Sequence, residues 1–259
     1  MAIITLTSDL GLHDFYLSAV KGAIITQCPD ARIVDISHEI TKHDVFQASF
    51  IIKNTYKNFP RDTIHILGLN PETTADTSYL AIYADGHYFI GPDNGIFSLI
   101  FDVTPDLIVE LNLTQDTDSL TFPTKDLFVQ AACHIARGGT LEVIGKIKQD
   151  FLEKIVIQPV LDGNALRGNV IYIDSYRNAF TNITEKIFTE AAKGRNFNIY
   201  IRQSSYTIRQ IRKSYGEVPE GEILALFSST GYLEIAINKG NADELLGLHL
   251  NDMVRIEFV

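Results

Sequence analysis

The chain has 259 residues, 46% of them hydrophobic and 21% charged, with a formal net charge of −10. That composition supplies a full core in one large or two smaller domains. The acidic balance excludes non-specific nucleic-acid binding, which needs a basic face.

An apolar run, Ile3–Leu6, opens the chain as a strand and reaches Thr7, Ser8 and Asp9. Gly11 and Asp14 follow where a helical pattern begins, with Tyr16, Val20, Ala23 and Ile24 on its apolar face. Pro29–Asp30 stops that helix, and Arg32–Ile36 is a β-branched strand followed by Ser37-His38-Glu39. A second helix from Asp44 places Val45, Ala48, Ile52 and Tyr56 on one face. Thr63–Leu69 is a third strand. The order β-α-β-α-β predicts an α/β domain with a mostly parallel sheet flanked by helices.

A polar loop, Asn70–Ser78, comes next. Tyr79–Tyr83 and His87–Gly91 flank Asp85-Gly86, a hairpin turn. An apolar stretch, Ile96–Phe101, and a strand, Ile108–Leu111, lead to Leu120–Asp126, which reads as a polar interruption. Leu127–Ala136 reads as a helix that Gly138-Gly139 stops. From about Lys146 strand-like runs dominate: Lys154–Ile157, Leu166–Ile173, Phe197–Ile201, Ile223–Phe227, Leu233–Ile237 and Met253–Phe258. One helix, Thr184–Ala192, interrupts them. Residues 1–150 are therefore expected to form the α/β domain, and residues 151–259 a smaller, mainly-β, barrel-like one.

The seven histidines show no HxxH or HxxxH spacing, so no metal site is expected. GxGxxG, GxxxxGK[ST] and GxSxG are absent. Cys28 and Cys133 read as small buried hydrophobes of a reducing compartment. No run approaches a membrane span, and the N-terminus lacks the charged region of a secretory signal. A soluble cytoplasmic protein is expected, with no membrane partner.

Two places carry candidate chemistry. Asp9, at the C-terminal end of a strand, can accept both hydroxyls of a ribose diol; equally, Asp9 and Asp14 can cap a turn and a helix. In the second half, Asp174-Ser175-Tyr176-Arg177-Asn178, Thr181-Asn182, Ser228-Ser229-Thr230-Gly231 and Asn238 form an amide-rich set. A buried Asn amide reads an adenine edge, since it donates and accepts; the same residues also suit plain turns.

Taken in order, SDLGLHD, VDISHEI, PDNG, TFPTKD, D-x-x-x-N-x-x-TNI and SSTGYLEIAIN-x-GNA resemble the S-adenosylmethionine hydroxide adenosyltransferase family, with its related fluorinases and chlorinases. The resemblance spans residues 3 to about 256. It implies an N-terminal α/β domain, a C-terminal β-barrel-like domain, and a homotrimer with the ligand between neighbouring subunits. The ligand implied is S-adenosylmethionine or adenosine, with no further cofactor.

Residue by residue, the resemblance gives Asp9 the ribose diol and places Asp14 near the methionine amino group. Phe122 falls beside the reacting carbon and Thr73 on the ribose side. Asn178 and Ser229 match the adenine-recognising amide and hydroxyl, with Tyr176 stacking near the base. His43 stands where halogenating members carry an aromatic wall, and Tyr215 is a further stacking candidate. The sulfonium is already a good leaving group, so in-line placement of a nucleophile behind C5′ is the main requirement.

The chain departs from the hydrolytic members at three positions. Their D-P-G-V-G-T-x-R loop and T-F-H-G-R-D segment supply an Asp, an Arg and a His that activate water. Here these positions are Asn70, Thr77 and Pro123, while Thr124 lies where halogenating members place a small hydroxyl residue. Three readings follow: adenosyl transfer to water, either slow or with replacement groups such as Glu72, Asp76 or Lys125; use of another nucleophile such as halide; or a catalytically silent S-adenosylmethionine- or adenosine-binding protein.

Overall fold

The structure is a computed structural model that describes residues 1–69, 77–113, 121–201 and 206–259. The chain forms two compact units, Met1–Ile155 and Val156–Val259.

In the first unit, β1 (Ile3–Ser8) leads through α1 (Phe15–Gln27) to β2 (Arg32–Ser37). α2 (Val45–Lys53) leads to β3 (Ile64–Gly68). The hairpin is β4 (Tyr79–Ala84) and β5 (His87–Pro92). Its turn residues Asp85 and Gly86 both have positive φ, 51° and 80°, as a two-residue type I′ turn requires. α3 (Ile96–Ile100), β6 (Leu107–Leu111), α4 (Val129–Ala136) and β7 (Gly145–Lys148) complete the unit. The strands lie in the order β2-β1-β3-β5-β4-β6-β7. The sheet is mixed: parallel from β2 to β5, and antiparallel at β5/β4, β4/β6 and β6/β7.

Alternation along the strands divides the core into two layers. Ile64 and Ile66 pack with Val20 and Ile24 of α1 and Ala132 of α4. Leu67 and Leu69 pack with Ala48 and Ile52 of α2 and Phe97 of α3.

Three details differ from the sequence reading. Tyr16 is exposed, because α1 turns Leu17, Val20 and Ile24 to the core. Tyr56 lies beyond α2 in its own 3₁₀ turn, Tyr56–Asn58, yet remains buried. The polar TFPTKD segment starts a helix: a π turn, Thr124–Phe128, runs directly into α4. The amides of Lys125 and Asp126 both donate to Phe122 O, at 3.1 and 3.0 Å. Pro123 stands at the head of that turn with φ −58°, where a missing N–H costs nothing.

The second unit contains β8 (Val160–Asp162), β9 (Ala165–Ile173), β10 (Ala179–Thr184), α5 (Glu185–Ala192), β11 (Phe197–Ile201), β12 (Thr207–Ile208) and β13 (Ile211–Arg212). β14 (Ile223–Phe227), β15 (Tyr232–Ile237), α6 (Ala242–Leu246) and β16 (Met253–Phe258) follow. The order β12-β11-β16-β9-β10-β15-β14-β13, with β12 approaching β14, curls the sheet into a nearly closed barrel. Leu166, Ile199, Leu233 and Ile256 fill it, and Phe188 of α5 packs on the same cluster.

Lys154–Ile157 forms no strand, and Ile155 is 91% exposed. Thr181 and Asn182 belong to a strand, β10, and are buried struts. Asn182 accepts from Asn169 N at 2.8 Å and donates to Ile157 O at 2.8 Å. The Thr181 hydroxyl donates to Leu233 O. α6, too short to show a helical period, is a second helix in this half.

Candidate functional site

The order β2-β1-β3 means that the chain leaves β1 for one side and returns on the other. The C-terminal tip of β1 therefore lies at a topological switch point, where open α/β sheets hold ligands. Asp9 follows that tip directly and is only 6% exposed. Its Oδ2 accepts from His43 N at 3.0 Å, and its backbone carbonyl accepts from Lys42 Nζ. His43 thus meets Asp9 through its backbone, held at φ 66°. Gly11, at φ 77°, donates to His38 O at 2.8 Å and folds the loop over the end of β2. Asp14 is exposed at the N-cap of α1, but its side chain makes no capping bond.

Under this loop the tips of β1 and β2 are tied together. Ser8 Oγ lies 2.7 Å from His38 Nδ1, and His38 Nε2 lies 3.1 Å from Asp35 Oδ1. Asp35 also pairs with Lys21 of α1 at 2.6 Å. Burial works against ionising Asp35, but the bonds from Lys21 and His38 prevail and hold its carboxyl below the usual range. A small pocket beside Ser8 and His38 is lined also by Leu6, Thr7, Leu17 and Thr124. The hydroxyls of Thr7 and Thr124 are buried and have no hydrogen-bond partner. Thr124 comes close because β3 ends in Gly68: a Cβ there would sit 2.7 Å from Thr124 Cγ2.

Phe122 is half-buried, edge-on to Tyr16 at 5.3 Å, with the Lys125 ammonium 6.0 Å from its ring centre. Lys125 also pairs with Asp126 at 2.5 Å. Thr77 is half-buried just before β4. β4 runs antiparallel to β5, so Thr77 lies at the same end of the sheet as Asp9. Asn70 and Thr73, with Glu72 and Asp76, lie outside the described residues.

In the second unit, Asn178 is buried at the start of β10. Its backbone N–H donates to Asp174 Oδ1 at 2.8 Å, and its side-chain amide reaches Asp174 Oδ2 at 3.5 Å. Arg177, at φ 67°, pairs with Asp243 at 3.1 Å, docking this loop on the start of α6. Tyr176 projects from the same loop, 78% exposed. The Tyr215 hydroxyl donates to Glu234 Oε1 at 2.8 Å. Glu234 is buried and registers with Phe180 of β10. Burial pushes the Glu234 carboxyl up, and the charge of Asp174 adds to this, against the Tyr215 bond. Burial and the bond to Glu234 also push the Tyr215 phenol up.

Asn178, Asp174, Tyr215 and Glu234 are thus one neighbourhood. Ser229 is not in it. It sits exposed in the turn between β14 and β15, whose Gly231 carbonyl accepts from Glu185 N, past the far end of β10. Strand rise puts the two ends on the order of 10–15 Å apart. Lys42, Glu234 and the Ser8–His38–Asp35 contact were not among the expected site residues. Adjacency of β1 and β2 was the usable signal for Ser8 and His38, since parallel neighbours bring their tips side by side. Among the described residues, no group of three or more His, Cys, Asp or Glu could hold a metal. No helix among them is long and apolar enough to cross a membrane.

Comparison with known proteins covers both units. The chain is 28% identical to an (R)-S-adenosyl-L-methionine hydrolase of Thermus thermophilus, over 96% of this chain and 97% of that one. It is 27% identical to one of Methanocaldococcus jannaschii, over 98% and 95%, and 26% identical to a fluorinase of Nocardia brasiliensis, over 91% and 90%. A crystal structure of a conserved protein from Thermotoga maritima superposes with a TM-score of 0.90, at 26% identity, covering 98% of this chain and 99% of that one. Residues 4–145 match the SAM hydroxide adenosyltransferase N-terminal domain and residues 168–255 the C-terminal domain. The chain belongs to the SAM hydroxide adenosyltransferase family.

Proposed function

We propose that this protein transfers the 5′-adenosyl group of S-adenosylmethionine to water, giving adenosine and methionine. The observation that carries this reading is the family match over both domains, joined to a buried carboxylate, Asp9, at the β1 switch point. Asp9 holds the ribose diol, Phe122 borders the reacting carbon, and Asp14 faces the methionine ammonium. Asn178 reads the adenine edge, with Tyr176 and Tyr215 as stacking faces. Ser229, at the far end of β10, contacts another part of the ligand than Asn178 does. The active assembly is a homotrimer in which the first unit of one subunit meets the second unit of its neighbour. Each unit exposes large apolar side chains, Leu12 and Phe15 in the first and Ile157 in the second, which is consistent with contacts to other subunits.

Asn70, Thr77 and Pro123 stand where hydrolytic relatives carry their water-activating groups. Water attacks C5′ here without that set, displacing methionine, so turnover is slow. General-base help is worth roughly 10²–10⁴-fold. One observation favours a second reading, a binding protein without turnover: Pro123 is placed for its backbone, at the head of the π turn. Incubation of the pure protein with S-adenosylmethionine, with and without chloride, followed by chromatography over hours, separates the readings. Adenosine with methionine supports hydrolysis. 5′-Chloro-5′-deoxyadenosine would show halide transfer, and tight binding without product would leave the silent binder.

A further inference from the structure

The pocket beneath Asp9 holds a feature that the binding residues above do not use. Ser8, His38 and Asp35 line up in the order hydroxyl, imidazole, carboxylate, at 2.7 and 3.1 Å. Ser8 is 3% exposed and His38 4%. The Asp35 carboxylate beside Nε2 favours the proton on that nitrogen, which leaves Nδ1 to accept from the Ser8 hydroxyl. Leu10 N donates to Ser8 Oγ at 3.4 Å, which leaves the oxygen one further lone pair to accept a proton. The Nε2 contact falls short of a straight hydrogen bond, and catalytic hydrogen bonds are often loose before the ligand binds.

Thr124, which lines the same pocket, presents a buried hydroxyl with no partner. A native structure rarely leaves such a group unmet. A water held there would have the Thr124 and Ser8 hydroxyls as partners. His38 is the only titratable residue among the described residues that line the pocket.

We propose that Ser8, His38 and Asp35 form a proton relay that serves the attacking water. The proposal rests on the hydrolytic reading given above. The water oxygen bonds to C5′ as the C5′–S bond breaks, and its electron pair stays on sulfur, so the sulfonium becomes the neutral thioether of methionine. The surplus proton of the water passes to Ser8 Oγ while Ser8 gives its own to His38 Nδ1. The imidazolium formed is stabilised by Asp35, and the proton leaves to solvent past the half-exposed Asp35 and Lys21. The positive charge of the sulfonium thus ends as one released proton. Ser8 is the catalytic residue of the relay, and His38 and Asp35 are positioning residues that act through it.

The charged groups facing His38 are few. Asp35 lies on β2, three residues before His38, and Lys21 reaches Asp35 from α1. Asp9 lies beyond Ser8 at the β1 tip, with Lys42 on its carbonyl. From the π turn the nearest residue is the neutral Thr124, with the Lys125–Asp126 pair beyond it. His38 must be neutral to take the proton, so protonating it in acid stops the relay and turnover is present only at higher pH.

The test is kcat for adenosine release across pH 5–9, in H₂O and D₂O, with S-adenosylmethionine affinity measured by calorimetry. Wild type, Ser8→Ala, His38→Gln and Asp35→Asn are compared. The relay predicts that His38→Gln loses the acid limb and roughly a hundredfold in kcat, while affinity changes only a few-fold. Asp35→Asn, a near-isosteric change at a half-exposed site, shifts the acid limb to lower pH, and this reading stands even where a buried variant fails to fold. Unchanged acid limbs, with kcat within about threefold in every folded variant, overturn the relay and leave the hydrolytic reading intact. A wild type that binds S-adenosylmethionine but releases no adenosine overturns both.

Discussion

Asp9 is set in place by the backbone around it before any ligand arrives. His43 N and Lys42 Nζ hold its carboxylate and its carbonyl, and burial removes competing water. Asp9→Ala should weaken S-adenosylmethionine binding by roughly tens of fold, the scale of losing a charged hydrogen-bond acceptor; unchanged affinity in calorimetry would count against the ribose role. A second buried group governs acid stability. His65 is fully buried between Thr5 Oγ1, 2.7 Å away, and His87, 3.3 Å away. Burial first, then the neighbouring His87, hold its pKa down at about 3, and burial lowers His87 too. An unfolded histidine titrates near 6.5, so below that pH the unfolded chain binds protons that the native state refuses. Stability is therefore full above about pH 6.5 and falls toward pH 3, by up to about 1.4 kcal/mol per pH unit for one such site. Urea midpoints at pH 7 and pH 5 should differ in wild type and differ less in His65→Phe; equal midpoints in wild type would contradict this.

At the scale of elements, the approach of β3 to the π turn shapes the pocket. A Cβ on Gly68 would meet both Thr124 Cγ2 at 2.7 Å and Oγ1 at 2.9 Å, and a buried β-branched side chain has little room to turn away. Gly68→Ala should cost about 1–3 kcal/mol, read by chemical denaturation, and Thr124→Ala in the same chain should recover most of it. An additive double mutant would show that the two residues do not meet. The strands β1 to β3 and the hairpin were legible because alternation and turn residues mark them locally. The helix start at Pro123 was not, since a polar run conceals a helix whose first turn is stabilised by tertiary packing. β10 was hidden in the same way: Thr181 and Asn182 look like loop residues until their partners, Leu233, Asn169 and Ile157, are brought in from distant parts of the chain.

For the whole molecule, the two-part plan was legible in the change from α/β alternation to short strands, and the ligand class followed from the ordered motifs rather than from any one of them. Geometry added what spacing could not supply. Asn178 keeps company with Asp174, Tyr215 and Glu234, whereas Ser229 lies past the other end of β10. If the site is completed by a neighbouring subunit, light scattering should give three times the 29.0 kDa of one chain, and a monomer that binds ligand fully would exclude a shared site. The central claim is the transfer of the adenosyl group to water. It is tested most directly by incubating the pure protein with S-adenosylmethionine in H₂¹⁸O and analysing the nucleoside by mass spectrometry. Transfer to water gives adenosine carrying ¹⁸O at its 5′ position, released in step with methionine; bound S-adenosylmethionine recovered unchanged would contradict it.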